Sequence, residues 1–256
     1  MIHLHIVLVG MLAVLSGCYT GTAPEPEIAV SRLITLLQDS NPDLRQTAAL
    51  SLGKIAHPDA ASHLILALRD ADPLVRQYSA WGLGNLGERA SVAASALVVV
   101  LEDPIPAVAD AAARAVGSIG AGPEVIARLL TILRKGSVQT RRAAITALGL
   151  LESPLTYGAL LSALEDGNAD VRQEAIAALG ELGDRRAVPA IEARLRHDAA
   201  AGVRTEAAYR LGTLSDEGSL PILRAVAIED SDERVRRWAH RAIEALSAPA
   251  GPGSTT

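Results

Sequence analysis

The sequence predicts an all-α protein, an α-solenoid of about seven two-helix repeats, and three observations carry that prediction. One register of Asp, Arg, small residues and Gly returns along most of the 256-residue chain. Hydrophobic residues make up 49 % of the composition, yet aromatics only 2 %: two Trp, four Tyr and no Phe. A compact core of this length normally leans on aromatic rings, which bury about 150–250 Å² each. Here Ala, Leu, Val and Ile supply the apolar mass, which suits thin layers of closely packed helices. Finally, each copy pairs a Leu-rich stretch at helical spacing with an Ala- and Gly-rich one.

Aligned on the Arg, the copies stand at Arg45, Arg76, Ala109, Arg141, Arg172, Arg204 and Arg236, with spacings of 31, 33, 32, 31, 32 and 32. Eight residues later come Gly53, Gly84, Gly117, Gly149, Gly180 and Gly212, with Glu244 in the last copy. Six residues before the aligned position lie Asp39, Asp70, Asp103, Asp166, Asp198 and Asp230, with Lys135 the exception. A period of this length is the signature of a stacked-repeat architecture, in which no unit buries its apolar face alone.

The units follow in order. The first, 27–57, has Leu33, Leu36 and Leu37 at helical spacing and turns at Asp39-Ser40-Asn41-Pro42. The second, 58–88, starts at Pro58, where a missing N–H costs nothing, and its second helix runs from Pro73 to Leu86. In the third, 89–121, Ala109 replaces the Arg and Pro106 enters the second helix near its start. The fourth, 122–153, opens at Pro123, carries Leu129, Leu130 and Leu133, and has Lys135 where others have Asp. This interruption reads either as a flexible joint or as ordinary drift. The fifth unit, 154–184, starts at Pro154 and holds the most regular copy, Asp166 to Gly183. The sixth, 185–216, shifts its leucine by one to Leu195, and the seventh, 217–248, closes the series. Gly inside a helix costs about 1 kcal/mol against Ala. Its return in six copies predicts that a Cβ there would meet the adjacent helix.

The pattern D-x-x-x-x-V/L-R-x-x-A-x-x-A-L-G-x-L-G, seen almost position for position from Asp166 to Gly183, resembles the HEAT-like repeat of phycobilisome lyases. The resemblance covers 27–248. It implies a right-handed, HEAT/armadillo-like superhelix with the Arg-bearing helices lining the concave side.

Outside the repeats the chain reads differently. Ile2 to Leu15 is apolar but for His3, His5 and Gly10, and is too short to span a bilayer, which needs about 20 residues. An apolar run ending in small residues reads as an export signal, here 1–17. Leu15-Ser16-Gly17-Cys18 resembles the lipobox of bacterial lipoproteins, although no Lys or Arg precedes the apolar run. That resemblance implies lipidation of Cys18 and attachment to the bacterial envelope. Tyr19 rather than Asp after the Cys implies the periplasmic side of the outer membrane in a diderm cell. Residues 18–26, rich in Pro, Gly and Thr, form a flexible tether, and 249–256 a disordered tail.

The function classes narrow accordingly. A net charge of −5 argues against nucleic acid, whose binders are basic. One Cys excludes an internal disulfide and a thiolate zinc site. No HExxH, phosphate-cradling Gly loop or G-x-S-x-G elbow is present. HEAT-like folds also include a di-iron deoxyhypusine hydroxylase with repeated His-Glu pairs, and this chain has none. No catalytic, cofactor-binding or metal-binding residue and no small-molecule substrate is therefore assigned. The recurring Asp39, Arg45, Asp70, Arg76, Asp166, Arg172, Asp198, Arg204, Asp230 and Arg236 read as a structural ladder hydrogen-bonded along the stack. On the second helices, positions one, two, five and nine after the Arg are expected to point outward. They hold Tyr78, Trp81, Tyr209 and Trp238, with Arg210, Arg237 and Arg241 nearby. Trp, Tyr and Arg are enriched in interface hot spots. The expected function is a non-enzymatic scaffold or adaptor that binds a protein or peptide along the concave face and is tied to the membrane through Cys18. The alternatives are a HEAT-like enzyme or maturation factor, bilin-lyase-like or metal-dependent, and a purely structural envelope spacer.

Overall fold

The computed structural model describes residues 26–151 and 153–247. The expected export signal, Cys18, most of the tether and the 249–256 tail lie outside the described residues. Among the described residues there are fourteen α-helices and no strand. They come in seven pairs: α1 (Pro26–Leu36) with α2 (Pro42–Ile55), α3 (Ala61–Ala67) with α4 (Pro73–Leu86), and α5 (Ala94–Val100) with α6 (Pro106–Ile119). Next come α7 (Pro123–Lys135) with α8 (Val138–Leu150) and α9 (Pro154–Ala163) with α10 (Ala169–Glu181). The last are α11 (Val188–His197) with α12 (Ala201–Leu214) and α13 (Leu220–Glu229) with α14 (Glu233–Ser247).

Local chemistry sets the helix ends. Proline occupies the first turn of α2, α4, α6 and α7, where its fixed φ suits the helix and its missing N–H has no partner to lose. Asn41, Asp72, Ser137 and Asn168 stand just before their helices and accept backbone N–H bonds from the first turn. Gly87, Gly120 and Gly183 take positive φ at helix ends.

Each pair closes on itself, and the pairs stack in chain order into an α-solenoid. The even-numbered helices pack on one another along their lengths, whereas successive odd-numbered helices touch at few positions. Close spacing in one layer and wide spacing in the other bends the stack toward the even-numbered helices, which form its inner face. Small residues make that spacing possible. A Cβ on Gly53 would sit 2.8 Å from the Cα of Gly82, and one on Gly212 2.9 Å from the Cα of Ala242. One on Gly149 would lie 2.9 Å from the Ala178 Cβ. Glu244 occupies the same register position on α14 without conflict, because no described helix follows it; it is exposed.

One junction departs from the pattern. The turn between α7 and α8 is only Gly136-Ser137, where the first three pairs and the fifth use five residues. Across the neighbouring α6–α8 contact, Gly117 faces Leu150 instead of the residue that takes this place elsewhere. The core runs unbroken through the stack as a cluster of Ala, Leu, Val and Ile, with Tyr78 and Trp238 packed partly against it.

Candidate interaction surface

The ladder residues meet across the unit boundaries. Arg45, Arg76, Arg141, Arg172 and Arg204 each hold the Asp of the following unit in a two-pronged bond. Nε donates to one carboxylate oxygen over 2.6–2.9 Å and Nη2 to the other over 2.7–3.0 Å. The acceptors are Asp70, Asp103, Asp166, Asp198 and Asp230. The remaining Nη1 donates to turn carbonyls of the arginine's own unit, such as Asp70 O at 2.9 Å from Arg76. Those are helix-end carbonyls that would otherwise lack a donor. Each Asp accepts, in addition, the N–H two residues on, at 2.8–2.9 Å. At Asp70, Asp103, Asp166 and Asp198 burial pushes the carboxyl up, but the arginine and the backbone N–H outweigh it. At Asp230 the Arg204 bond itself comes first. All five carboxyls sit below the ordinary range. The rung is missing between the third and fourth units, where buried Ala109 offers only a methyl group and Lys135 no carboxylate.

Two groups of aromatic residues stand on the inner layer. In the first, the Trp81 indole lies over Gly53, so close that a Cβ there would come within 2.9 Å of two ring carbons. Asn85 Nδ2 donates to Gly53 O at 3.1 Å, fixing the same contact one turn on. The indole is held on α2 and α4 yet remains 39 % exposed. Tyr78, three residues earlier, is half-buried against the core. In the second group Tyr209 and Trp238 meet edge to face, centroids 5.1 Å apart at 70°. The Arg210 guanidinium lies 5.1 Å from the Tyr209 ring centre and the Arg241 guanidinium 4.8 Å from that of Trp238. Stacked guanidinium and ring stabilise each other by about 0.5–1 kcal/mol at exposed sites.

The expectation that the aromatics point outward needs correcting at two of them, and the expectation of positive charge nearby at Arg210. Tyr78 and Trp238, both two residues after their Arg, are half-buried, because that position lies at the seam between neighbouring even-numbered helices. Arg210 adds little free positive charge: Nε donates to Glu206 at 2.8 Å and Nη2 to Glu181 at 3.2 Å. Its aliphatic stem covers Gly180. Arg237 and Arg241 are exposed, and the nearest carboxylate to Arg237 is Glu233 at 4.0 Å.

Sequence reasoning missed two grooves on the outer layer, either side of α7. The larger, about 480 Å³, lies between α5 and α7, lined by Val98, Val99, Glu102, Glu124, Arg128 and Ile132. The smaller lies between α7 and α9 beside Leu130, Leu133 and Ala159. The sparse contact between odd-numbered helices produces them, and no residue pattern marks such gaps. Among the described residues no group of three His, Cys, Asp or Glu is placed to hold a metal ion. His57 caps a short turn, its Nδ1 accepting from Asp59 N at 3.3 Å.

Three stretches, residues 20–67, 61–149 and 156–247, match the family model for HEAT repeats. The chain belongs to the HEAT-repeat family. No curated protein sequence matches it. Among solved structures it is similar to importin beta, with 14 % identity over 89 % of this chain and 39 % of that one, at a TM-score of 0.67. It is similar also to the complex of CpcE and CpcF of phycocyanin lyase from Nostoc sp. PCC7120, with 23 % identity over 90 % and 99 %, at a TM-score of 0.52. Human deoxyhypusine hydroxylase aligns over 85 % of this chain and 84 % of its own, with 26 % identity and a TM-score of 0.43. At these identities importin beta and the lyase complex share the HEAT fold with this chain and nothing narrower. Within that HEAT stack the two aromatic groups lie on the same layer, in units one to two and six to seven.

Proposed function

We propose that the protein is a non-enzymatic interaction scaffold, held to the bacterial envelope by lipid on Cys18, that binds a protein or peptide along its inner face. The observation that carries this reading is the Trp81 indole, seated on Gly53 and still open to solvent. A ring fixed in advance loses little conformational freedom on binding, which is how a rigid aromatic becomes an anchor. Tyr209, Trp238, Arg237 and Arg241 offer a second anchor at the far end of the same layer. A partner spanning both lies along the layer rather than in a closed pocket, as suits an extended segment or a matching protein face. HEAT repeats suit this role because stacking exposes one long continuous surface. The lipobox-like Leu15-Ser16-Gly17-Cys18 supports envelope attachment, and multiple acyl chains anchor stably where one does not.

The test is crosslinking capture from cells by the intact protein, comparing wild type with Tyr78→Ala/Trp81→Ala. The double variant is expected to lose capture about tenfold, the effect of one hot-spot residue, while still unfolding in one cooperative transition. Undiminished capture by a folded double variant sinks the reading. Metabolic labelling with an alkyne fatty acid addresses the anchor: Cys18→Ser is expected to abolish it.

A further inference from the structure

The last rung of the ladder is incomplete among the described residues. Arg236 is held like the inner arginines, Nη1 donating to Asp230 O at 2.6 Å and to Ser231 O at 3.3 Å. In the five complete rungs Nη1 likewise holds one or two turn carbonyls, while Nε and Nη2 take the carboxylate of the next unit. No described unit follows α14, and among the described residues no carboxylate meets the Arg236 fork. We propose that this fork is a carboxylate-receiving site, which takes an Asp or Glu side chain from an acidic segment of a partner protein. The site lies at the end of the stack, on the helix that also carries Arg237, Trp238 and Arg241 of the second anchor, and adds a carboxylate-specific contact that the function proposed above does not name.

Three features specify the occupant. The first is geometry: a guanidinium fork with its roll fixed by two carbonyl bonds matches a carboxylate in two-pronged fashion. The second is charge. Helix α14 carries Arg234, Arg236, Arg237 and Arg241 against Glu233 and Glu244. Among the described residues Arg234 has Asp232 at 3.1 Å and Arg237 has Glu233 at 4.0 Å, and no such pair is made by Arg236 or Arg241. The third is shape. A second copy of this chain would bring Asp39, whose carboxylate accepts the Asn41 N–H and meets no arginine among the described residues. Stacking a copy requires the small, buried surface of the inner junctions, and α14 instead exposes His240 and Glu244. At those register positions the preceding unit has the small, buried Ala208 and the half-buried Gly212, where an added Cβ would crowd Ala242. A whole unit cannot close on that face, whereas a slim segment reaches Arg236 without approaching Glu244, two turns away.

The chain supplies its own probe. Residues 226–233, Val-Ala-Ile-Glu-Asp-Ser-Asp-Glu, carry the Asp230 that Arg204 grips. A fluorescein-labelled peptide of that sequence, titrated with the intact protein and followed by anisotropy, is expected to bind saturably. The same peptide with Asp230→Asn is expected to bind about tenfold more weakly, as is the original peptide to Arg236→Lys protein, which keeps the charge and loses the fork. Tyr78→Ala/Trp81→Ala is expected to bind the peptide like wild type, separating this site from the Trp81 anchor. Should Arg236→Lys melt out, the two peptides on wild type still decide. Equal affinity for both peptides, or no saturable binding, overturns the proposal. So does concentration-dependent self-association that Asp39→Asn abolishes, which would give the fork to a second copy.

Discussion

A single ladder arginine joins two elements that the chain must hold together: the turn of its own unit and the Asp of the next. The energetic weight of a rung depends on how far its groups are withdrawn from water. The Asp198 side chain is 1 % exposed, receives Arg172 on both oxygens and the Ala200 N–H, and has Arg194 at 3.8 Å. Removing one member of a buried pair strands the other, so Asp198→Asn is expected to cost about 3 kcal/mol in chemical denaturation at neutral pH. Asp39, in the same register, has among the described residues only the Asn41 N–H, which an amide oxygen also accepts. Asp39→Asn is therefore expected to cost well under about 1 kcal/mol. Equal costs at the two positions would show that the turn bond, and not the rung, carries the stability. Much at this scale was legible beforehand. Strict recurrence of Asp and Arg marks residues that serve the stack, since a ligand site has no reason to repeat in every unit. The direction of pairing, Arg to the next Asp and not its own, was not legible. Both candidates stand a fixed number of residues away, and only the packed helices decide between them.

At the scale of the helix, the glycines and the missing rung act on the same contacts. Even-numbered helices approach closely because Gly and Ala line both sides, and a rung then clamps each junction except that of α6 with α8. There Ala109 and Lys135 remove both ladder partners, the turn into α8 is shortened, and Gly117 meets Leu150 in a shifted register. The outer layer is open on both flanks of α7. Charge-assisted hydrogen bonds contribute about 1.5–3 kcal/mol each, so the amides of α6 and α8 are expected to exchange at least about tenfold faster than those of α10 and α12. Hydrogen exchange followed by mass spectrometry checks this, and uniform protection along the even-numbered helices refutes it. The interruption itself was visible in the sequence, and so were the helix starts, because Pro, Asn, Asp and Ser act within one turn of where they stand. The grooves beside α7 were hidden, as they arise from the distance between elements that share no signature.

The five occupied carboxylates make the whole molecule sensitive to acid. Each has its folded pKa below the ordinary value, through its arginine and the backbone N–H against the opposing effect of burial. In the unfolded chain these groups return to about 3.9. Their contribution is thus complete above that pH and drains away as pH falls through the lower folded values. Stability is expected to hold steady down to about pH 5 and to fall steeply below about pH 4, more steeply than in an Arg172→Leu/Asp198→Leu variant. Denaturant midpoints measured against pH decide, and parallel curves would remove the ladder from the cause. At this scale the aromatic scarcity that first suggested thin layers acquires a second reading: most of the few rings present stand on the inner layer, at its two ends. That placement depended on which layer curves inward, a property of spacing between helices rather than of any one of them.

Because every complete rung reaches forward to the next Asp and backward to its own turn, units bearing both residues are interchangeable in kind. Arg141 holds Asp166 by the same grip with which Arg172 holds Asp198. If the stretch between those carboxylates were lost in frame, the fork of Arg141 would find Asp198 where Asp166 had been. A gene built this way lengthens or shortens by whole units without relearning how to close its joints. Among the described residues, the joint with neither partner, between Ala109 and Lys135, is the one that could not close by this grip.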